Sequence, residues 1–216
     1  MTRVFVPMDF AALALGADAV AHVLKGVAQT RKLDIEVVRT GSRGMHWLEP
    51  LVEIETARGR IGYGPIKASD VPALVDAGLL EGKANPSCIG VVDDHPWLKR
   101  QTRVTFARCG VVDPLAPYEW TGLNRARELG PAATIDVVTR SGLRGRGGAG
   151  FPTGIKWKSA ADAKGDRKYM VCNADEGDSG TFADRMIMEG DPFALIEGMA
   201  IAAAMVAMAC GYSERM

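Results

Sequence analysis

The chain has 216 residues, its 26 lysines and arginines are balanced by 26 aspartates and glutamates, and 47% of its residues are hydrophobic. This composition predicts a soluble globular chain of one or two domains, because ample apolar surface can be buried and the charges do not repel one another overall. It excludes nucleic-acid binders that depend on an overall basic excess.

The cysteines and the apolar runs indicate in which cell compartment the protein is expected. The four cysteines include no CxxC pair, so neither a zinc site nor a disulfide framework is expected, and a cytoplasmic setting follows. The N-terminus lacks the apolar stretch and cleavage site of a signal peptide. The longest uncharged apolar run, residues 199–211, is shorter than the roughly 20 residues that cross a bilayer. We therefore expect a buried core helix there and no membrane span.

The N-terminal part of the chain alternates between strand and helix patterns. In chain order, the apolar periodicity and the turn residues predict a strand at residues 3–7, a helix at 16–33, a strand at 34–39, a hairpin at 51–56 and 60–63, and a helix at 70–80. This order predicts a small α/β sandwich that resembles the thioredoxin-like fold.

The middle of the chain suggests a domain boundary. Residues 82–120 contain four prolines and no sustained hydrophobic period, which predicts a connector. We therefore expect two domains, at residues 1–113 and 114–216. Within the second, residues 119–129 predict a helix, whereas residues 134–140 fit either a helix or a strand.

Residues 142–154 (GLRGRGGAGFPTG) form a glycine-rich segment with arginines at 144 and 146. The segment holds six glycines, and residues 140–161 include five basic residues and no acidic one. Glycine allows backbone N–H groups to point together at an anion and to approach it closely. The composition therefore predicts a loop that holds a phosphate-bearing ligand.

Part of this segment also fits the dinucleotide-binding fingerprint, G-x-G-x-x-G, from Gly145 onwards. Asp175 follows a strand-like run at residues 169–172, as that motif requires of an acid. However, the third glycine should belong to a helix, whereas here Pro152 interrupts the segment and Thr153 is typical of the N-cap of a later helix. A Rossmann domain is therefore the weaker alternative.

A second polar cluster, NADEGD at residues 173–178, directly follows the strand-like run. Six acids and one base lie between residues 173 and 191. Such a cluster at a strand end can bind ribose hydroxyls, the amide edge of a heterocycle or a metal ion, but the D-x-D-x-D-G pattern of a calcium loop is absent. A solvated acidic turn is the alternative that composition alone supports.

The two motifs SGLRGRGGAGFPTGIKW (residues 141–157) and CNADEGDSGTFADR (residues 172–185) together resemble the flavin-binding NADH dehydrogenase subunits. The resemblance covers about residues 119–210. The family includes the FMN subunit of respiratory complex I, the diaphorase subunit of NAD-reducing hydrogenases and the beta subunit of NAD-dependent molybdenum formate dehydrogenases. The resemblance implies the first part of an α/β FMN-binding domain.

The resemblance also implies a role for each matching residue, with FMN and NAD(H) as the cofactors. The residues expected to wrap FMN and its phosphate are Gly145, Arg146, Gly147, Gly148 and Lys156. Asn173, Asp175 and Glu176 would hold the ribityl chain and the ring edge. Phe151 would lie where the nicotinamide stacks, and Asp178 stands where many relatives have glutamate in the NADH pocket. We expect no catalytic side chain, because FMN carries the hydride, and no metal ligand.

The N-terminal region resembles the thioredoxin-like [2Fe–2S] ferredoxin module of these enzymes. In those ferredoxins the loop after the second strand supplies cysteine thiolates, whereas residues 40–46 here (TGSRGMH) have serine and histidine. Cys88 and Cys109 are too far apart to rebuild a four-thiolate site. We therefore expect a thioredoxin-like domain that has lost its cluster and has a docking or structural role. His46 in this loop is more often a packing residue than a ligand.

Within the family, the missing N-terminal cysteines and the run CNADEGDSGTFADRMIMEGDPF most resemble the formate dehydrogenase beta subunit. This implies an NAD-dependent oxidoreductase subunit that passes electrons between iron–sulfur clusters and NAD through FMN. Its partners would be an iron–sulfur gamma-type subunit and a molybdenum-containing alpha-type subunit that oxidises formate, and not a nucleic acid. The FMN subunit of complex I or of an NAD-reducing hydrogenase is the alternative.

A non-catalytic assembly module is the alternative from another class. Relatives continue past a helix like residues 201–211 into a second nucleotide-contacting segment and a [4Fe–4S] domain. This chain ends at Met216. We therefore expect a chain truncated within its second domain, without the [4Fe–4S] cysteines of the family.

Overall fold

The computed structural model of the chain describes residues 1–165 and 167–208, the last of these by its backbone alone. The strands of the described residues are β1 (Thr2–Pro7), β2 (Ile35–Thr40), β3 (Val52–Thr56), β4 (Gly59–Tyr63) and β5 (Cys88–Val91). Their α-helices are α1 (Phe10–Ala14), α2 (Ala17–Arg31), α3 (Val71–Asp76), α4 (Pro96–Lys99), α5 (Thr121–Leu129), α6 (Pro131–Arg140), α7 (Thr153–Asp162), α8 (Ala183–Gly190) and α9 (Pro192–Met208).

The chain forms two compact units, and each is built from two stretches of sequence. The first unit combines Met1–Ala116 with Glu176–Pro192, and the second combines Pro117–Asp175 with the described residues from Phe193 onwards. The division into domains at residues 1–113 and 114–216 stays a prediction.

The first unit contains a five-stranded mixed sheet of order β2-β1-β3-β4-β5. β1 and β2 are parallel, and a parallel pair needs a crossover connection, which α1 and α2 provide. β3 runs antiparallel to β1 and forms a hairpin with β4. This topology confirms the predicted α/β class and the thioredoxin-like order of elements.

Helix α2 packs its apolar stripe on the sheet. Val20, Ala21 and Leu24 of this helix are buried in one cluster with Val4 of β1 and Ile54 of β3. The helix ends at Arg31, and its C-cap residue, Lys32, has a left-handed backbone (φ 54°) and donates its N–H to the carbonyls of the last turn. The apolar spacing of the sequence therefore predicted helix α2 correctly.

Residues 82–120 are more than the predicted connector, because they contain β5 and α4. β5 pairs antiparallel with β4 and adds an edge to the sheet. At four residues it is too short to show an alternating pattern, and Gly90 within it has a left-handed backbone (φ 80°). Pairing with β4 therefore creates a strand that composition alone could not reveal.

The described residues of the second unit form helices and loops. Residues 134–140, which fitted either class, belong to helix α6. The predicted strand at residues 169–172 is wrong, since this segment has no regular structure and Tyr169 and Val171 are 79% and 78% exposed. A strand needs a neighbour to satisfy its backbone groups, and the described residues of this unit offer none.

Helix α9 confirms that the apolar run from residue 199 is helical, although residues 209–211 of that prediction lie outside the described residues. Met205 is fully buried and packs with Ala126, Ile135 and Ala161. Glu197, also on α9, accepts hydrogen bonds from the Tyr118 hydroxyl at 2.6 Å and the Leu123 N–H at 2.9 Å. Among the described helices, no single one is long and apolar enough to cross a membrane.

A buried ion pair joins the loop after β2 to β3 in the first unit. The Arg43 guanidinium donates from Nε to Glu53 Oε1 at 2.9 Å and from Nη2 to Oε2 at 2.8 Å. Both side chains are nearly inaccessible, with 8% and 4% exposed. Arg60 reaches the same carboxylate at 3.5 Å and covers the Phe5 ring at 3.3 Å from its centroid. The bidentate geometry offsets the cost of burying these charges.

We predict that Glu53→Gln lowers the free energy of unfolding by about 3 kcal/mol or more, because it leaves a buried guanidinium without its counter-charge. The matched control is Glu36→Gln, which removes a half-exposed pair with Arg3 and should cost about 1 kcal/mol or less. Urea unfolding of the variants measures both values. Equal losses in the two variants would contradict the buried pair's role.

Candidate functional site

The glycine-rich segment forms a loop that is closed at its base. Arg144 and Pro152 form an isolated antiparallel bridge, with the Gly145 N–H donating to the Phe151 carbonyl at 2.9 Å. The Thr153 N–H donates to the Leu143 carbonyl, also at 2.9 Å. The Arg144 side chain donates to the Gly150 carbonyl at 2.9 Å and so ties the tip to the base. Local hydrogen bonds therefore define the loop.

The tip of the loop presents bare backbone to open space. Gly148 and Gly150 have left-handed backbones, with φ of 90° and 59°, which glycine adopts without strain. A Cβ atom built at Gly147, Gly148 or Gly150 would meet no described atom within 4 Å. The loop can therefore receive a ligand at close range without displacing any described neighbour.

A cleft of about 620 Å³ lies beside this loop, within the second unit. Gly145 and Phe151 of the loop line it together with Trp157 of α7. Its charged lining residues are all basic: Lys156, Lys164, Arg167 and Lys168. Since no carboxylate of the described residues lines the cleft, its field favours an anionic group.

Helix α7 carries the cleft's first lysine and follows directly from the loop. Its second residue, Gly154, lies against Thr139 of α6, and a Cβ atom there would approach the Thr139 Cα to 2.6 Å. Helix α7 thus packs backbone to backbone on α6, and this contact positions both ends of the loop. At the other end of α7, the Lys168 ammonium donates to the carbonyls of Ala160 and Ala161.

Asn173 and Asp175 belong to the second unit but do not line the cleft. Both are exposed, and the Asn173 Oδ1 accepts a hydrogen bond from the Asp175 N–H at 3.3 Å. Phe151 and Lys156, by contrast, line the cleft, and Phe151 is 54% exposed. The structure therefore brings together the loop, Phe151 and Lys156.

Glu176 and Asp178 belong to the first unit. The two Glu176 carboxylate oxygens accept hydrogen bonds from the N–H groups of Asp184 at 3.0 Å and Arg185 at 3.1 Å. These are amides of the first turn of α8, whose own N-cap residue, Phe182, provides no side-chain cap. Glu176 thus caps this helix. Its two hydrogen bonds explain why its own backbone stays in the left-handed region (φ 48°). Asp178 is exposed.

Sequence reasoning missed the basic residues that follow α7. Lys164 and Arg167 lie beyond the acid-free stretch, because Asp162 interrupts it, but they line the same cleft. Asp162 points instead to an ion pair with Lys158 on its own helix, at 3.1 Å. If the count of basic residues had continued beyond Asp162, it would have included Lys164 and Arg167.

Residues 138–213 match the family model of the Nuo51 FMN-binding domain. This segment is therefore similar to the FMN-binding domain of that family. The match covers the glycine loop, α7 and the acidic cluster, and it confirms the resemblance that the two motifs predicted.

Curated proteins are similar to part of the chain. The NADP-reducing hydrogenase subunit HndC of Solidesulfovibrio fructosivorans is 52% identical over 109 residues, which are 48% of this chain and 22% of that protein. An NADH-quinone oxidoreductase subunit of Aquifex aeolicus is 55% identical over 82 residues, which are 38% of this chain and 19% of that one. The chain therefore spans about a fifth of these relatives' length.

Solved structures that are similar to the chain include a ferredoxin and a hydrogenase. The thioredoxin-like [2Fe–2S] ferredoxin from Aquifex aeolicus is 19% identical, with a TM-score of 0.39, and the alignment covers 44% of this chain and 96% of that one. An NAD⁺-reducing [NiFe]-hydrogenase is 23% identical, with a TM-score of 0.41, over 97% of this chain and 36% of that one.

We predict that Gly154→Ala lowers the free energy of unfolding by about 1 to 3 kcal/mol, because the new methyl group overlaps the Thr139 backbone. Helix propensity alone would change stability in the opposite direction. Gly147→Ala is the matched control, since its methyl group meets open space, and it should change stability by about 0.5 kcal/mol or less. Urea unfolding measures both. A Gly154→Ala protein as stable as the parent would refute the close contact between α6 and α7.

Proposed function

We propose that the second unit binds FMN, with the phosphate held between the glycine loop and the basic cleft. The observation that supports this proposal is a loop of bare backbone that opens beside a cleft with only basic charged residues. The loop lies in a segment of an FMN-binding family. A phosphate-bearing ligand needs this combination of close backbone approach and positive charge.

The residues of the loop and of the cleft fit the separate parts of FMN. The backbone of Gly145–Gly148 and the side chains of Arg146 and Lys156 would hold the phosphate end. Phe151 offers a half-exposed aromatic face on which a planar ring can stack. Bound FMN would supply two-electron exchange with NAD(H) and single-electron exchange with iron–sulfur centres. The chain's own contribution is to bind, orient and partly shield that group.

In this proposal, only part of the acidic cluster is free to contact the ligand. Asn173 and Asp175 have side chains exposed and available for hydroxyl groups of a ligand. The Glu176 oxygens already serve the amides of α8, so a ligand role would compete with that cap. The assignment of Asp178 to the NADH pocket stays a prediction.

We predict that Lys156→Gln weakens FMN binding about tenfold or more, because a charged hydrogen bond to phosphate is lost. Binding of riboflavin, which has no phosphate, should not change. Lys158→Gln is the matched control, since Lys158 lies on the same helix, pairs with Asp162 and does not line the cleft. Titration of the chain with each flavin, followed by fluorescence quenching, gives the dissociation constants.

Flavin binding by the unmodified chain decides whether the chain is a flavoprotein or a non-catalytic assembly module. A purified chain that binds neither FMN nor riboflavin would reject the FMN proposal and support a non-catalytic module. Equal weakening by the two lysine variants would reject Lys156 as the phosphate contact, because general charge would then explain the effect.

We further propose that the intact protein is the beta subunit of a cytoplasmic NAD-dependent formate dehydrogenase. It would work with an iron–sulfur gamma-type subunit and a molybdenum-containing alpha-type subunit. The support is the sequence run from Cys172 to Phe193 and the absence of cysteines from the loop at residues 40–46. A complex I or NAD-reducing hydrogenase subunit is the second candidate, favoured by the names of the curated relatives.

Affinity purification of the tagged chain from its own cells tests this assignment. We predict that a molybdenum-containing subunit and an iron–sulfur subunit copurify with it, and that the preparation reduces NAD⁺ when formate is added. Copurification with a nickel-containing subunit and reduction of NAD⁺ by hydrogen would instead establish the hydrogenase assignment.

A further inference from the structure

Three side chains with metal-binding atoms meet at one end of the sheet in the first unit. Asp9 follows β1, and His46 and Glu49 lie in the connection from β2 to β3. One ligand atom of each lies within 4.8 Å of those of the others. Asp9 and Glu49 are only 3% and 4% exposed, so both carboxyl groups are removed from water.

Two polar atoms of this cluster are buried and have no hydrogen-bond partner among the described residues: Asp9 Oδ2 and His46 Nδ1. The other Asp9 oxygen, Oδ1, accepts from the Ala11 N–H at 3.1 Å, as the N-cap of α1. Burial of a polar atom without a partner is costly, so such atoms call for an explanation. A bound cation between them would provide one.

The Glu49 carboxylate is already held in position. Its Oε1 accepts from the Ser42 hydroxyl at 3.1 Å, and its Oε2 accepts from the Leu51 N–H at 2.9 Å. Each carboxylate oxygen has a second lone pair, so both contacts leave Glu49 able to bind a cation. These bonds orient the group as the hydrogen-bonded surroundings of a metal ligand usually do.

Among the described residues, no lysine or arginine forms a salt bridge with either acid. Three arginines of the unit with low exposure pair elsewhere: Arg39 with Asp18, and Arg43 and Arg60 with Glu53. Burial raises the pKa of Asp9, and burial, with a contribution from Asp9, raises the pKa of Glu49 to about 8. Two buried carboxyl groups therefore lie close together without a lysine or arginine partner among the described residues.

Aromatic rings enclose the histidine of the cluster. The imidazole of His46 lies edge-on to the Phe182 ring, with centroids 5.6 Å apart, and 6.3 Å from the Phe10 ring. Phe182 directly precedes α8, and the Glu189 carboxylate of α8 accepts from the Phe10 N–H at 3.0 Å. These contacts limit rotation of the imidazole.

We propose that Asp9, His46 and Glu49 bind one divalent transition-metal ion of the zinc type. Two carboxylates and a neutral imidazole carry a total charge of minus two, which balances such an ion. Imidazole favours zinc and its neighbours over magnesium and calcium, which prefer oxygen ligands alone. Ligand atoms around tetrahedral zinc lie about 3.4 Å apart, so the ligand atoms, now within 4.8 Å of one another, need to approach by at most about 1.4 Å.

Metal titration of the chelator-treated chain tests the site. With Zn²⁺ in a calorimeter, we expect one ion per chain, and with Co²⁺ we expect visible absorption bands of a site with nitrogen and oxygen ligands. Asp9→Asn and His46→Gln should each weaken Zn²⁺ binding tenfold or more. Asp9→Asn keeps an oxygen that can cap α1, so its fold should be maintained. His22→Gln is the control, because His22 lies exposed on α2.

The results of these titrations distinguish three cases: a specific metal site, nonspecific binding of metal at the surface, and a carboxyl pair that binds no metal. A rise in the unfolding temperature of the parent chain with Zn²⁺, absent in Asp9→Asn, supports the site. A parent chain that binds neither ion rejects it and leaves a proton shared by Asp9 and Glu49. Equal weakening in the His22→Gln control also rejects it. If His46→Gln does not fold, the comparison of Asp9→Asn with the control decides.

Discussion

The contact between α6 and α7 is the constraint on which the candidate site depends. Gly154 lets the two helix backbones approach at Thr139, so the segment between them must leave α6 and return to α7 within a short span. The bridge between Arg144 and Pro152 closes that segment into a loop. Its glycines can then present backbone to a ligand, because the loop's shape depends on its base and not on its tip.

Charge is organised differently in the two units, although the chain's net charge is zero. In the second unit, basic side chains line a cleft without an acidic neighbour among the described lining residues. In the first, Arg43 and Glu53 form a buried bidentate pair, whereas Asp9 and Glu49 are buried without one. Buried charges are normally paired or bind metals. The cleft and the carboxyl cluster are thus two places where charges of one sign lie close together among the described residues.

Elements with a long, regular pattern were predictable from sequence. The helix α2 and the hairpin β3–β4 occur where the patterns predicted them, and α7 begins at Thr153, although its N-cap is Pro152 and not the predicted Thr153. Elements whose existence depends on a neighbour were not predictable. β5 is a strand because β4 offers it an edge, whereas residues 169–172 have strand-forming side chains but no partner among the described residues.

For the site, the residue types were enough to predict the glycine loop, because a loop closed by local hydrogen bonds is encoded locally. The resemblance added Lys156 and Phe151, which line the cleft beside that loop, and their roles stay predictions. The residue types and their spacing were also enough to indicate the flavin-binding family, since two long motifs occurred in order. The folded chain was needed to reveal the rest. Glu176 caps a helix that starts several residues later, and Asp9 meets His46 and Glu49 only because β1 and β2 are neighbours in the sheet. Contacts between residues distant in sequence depend on packing, which no local pattern contains.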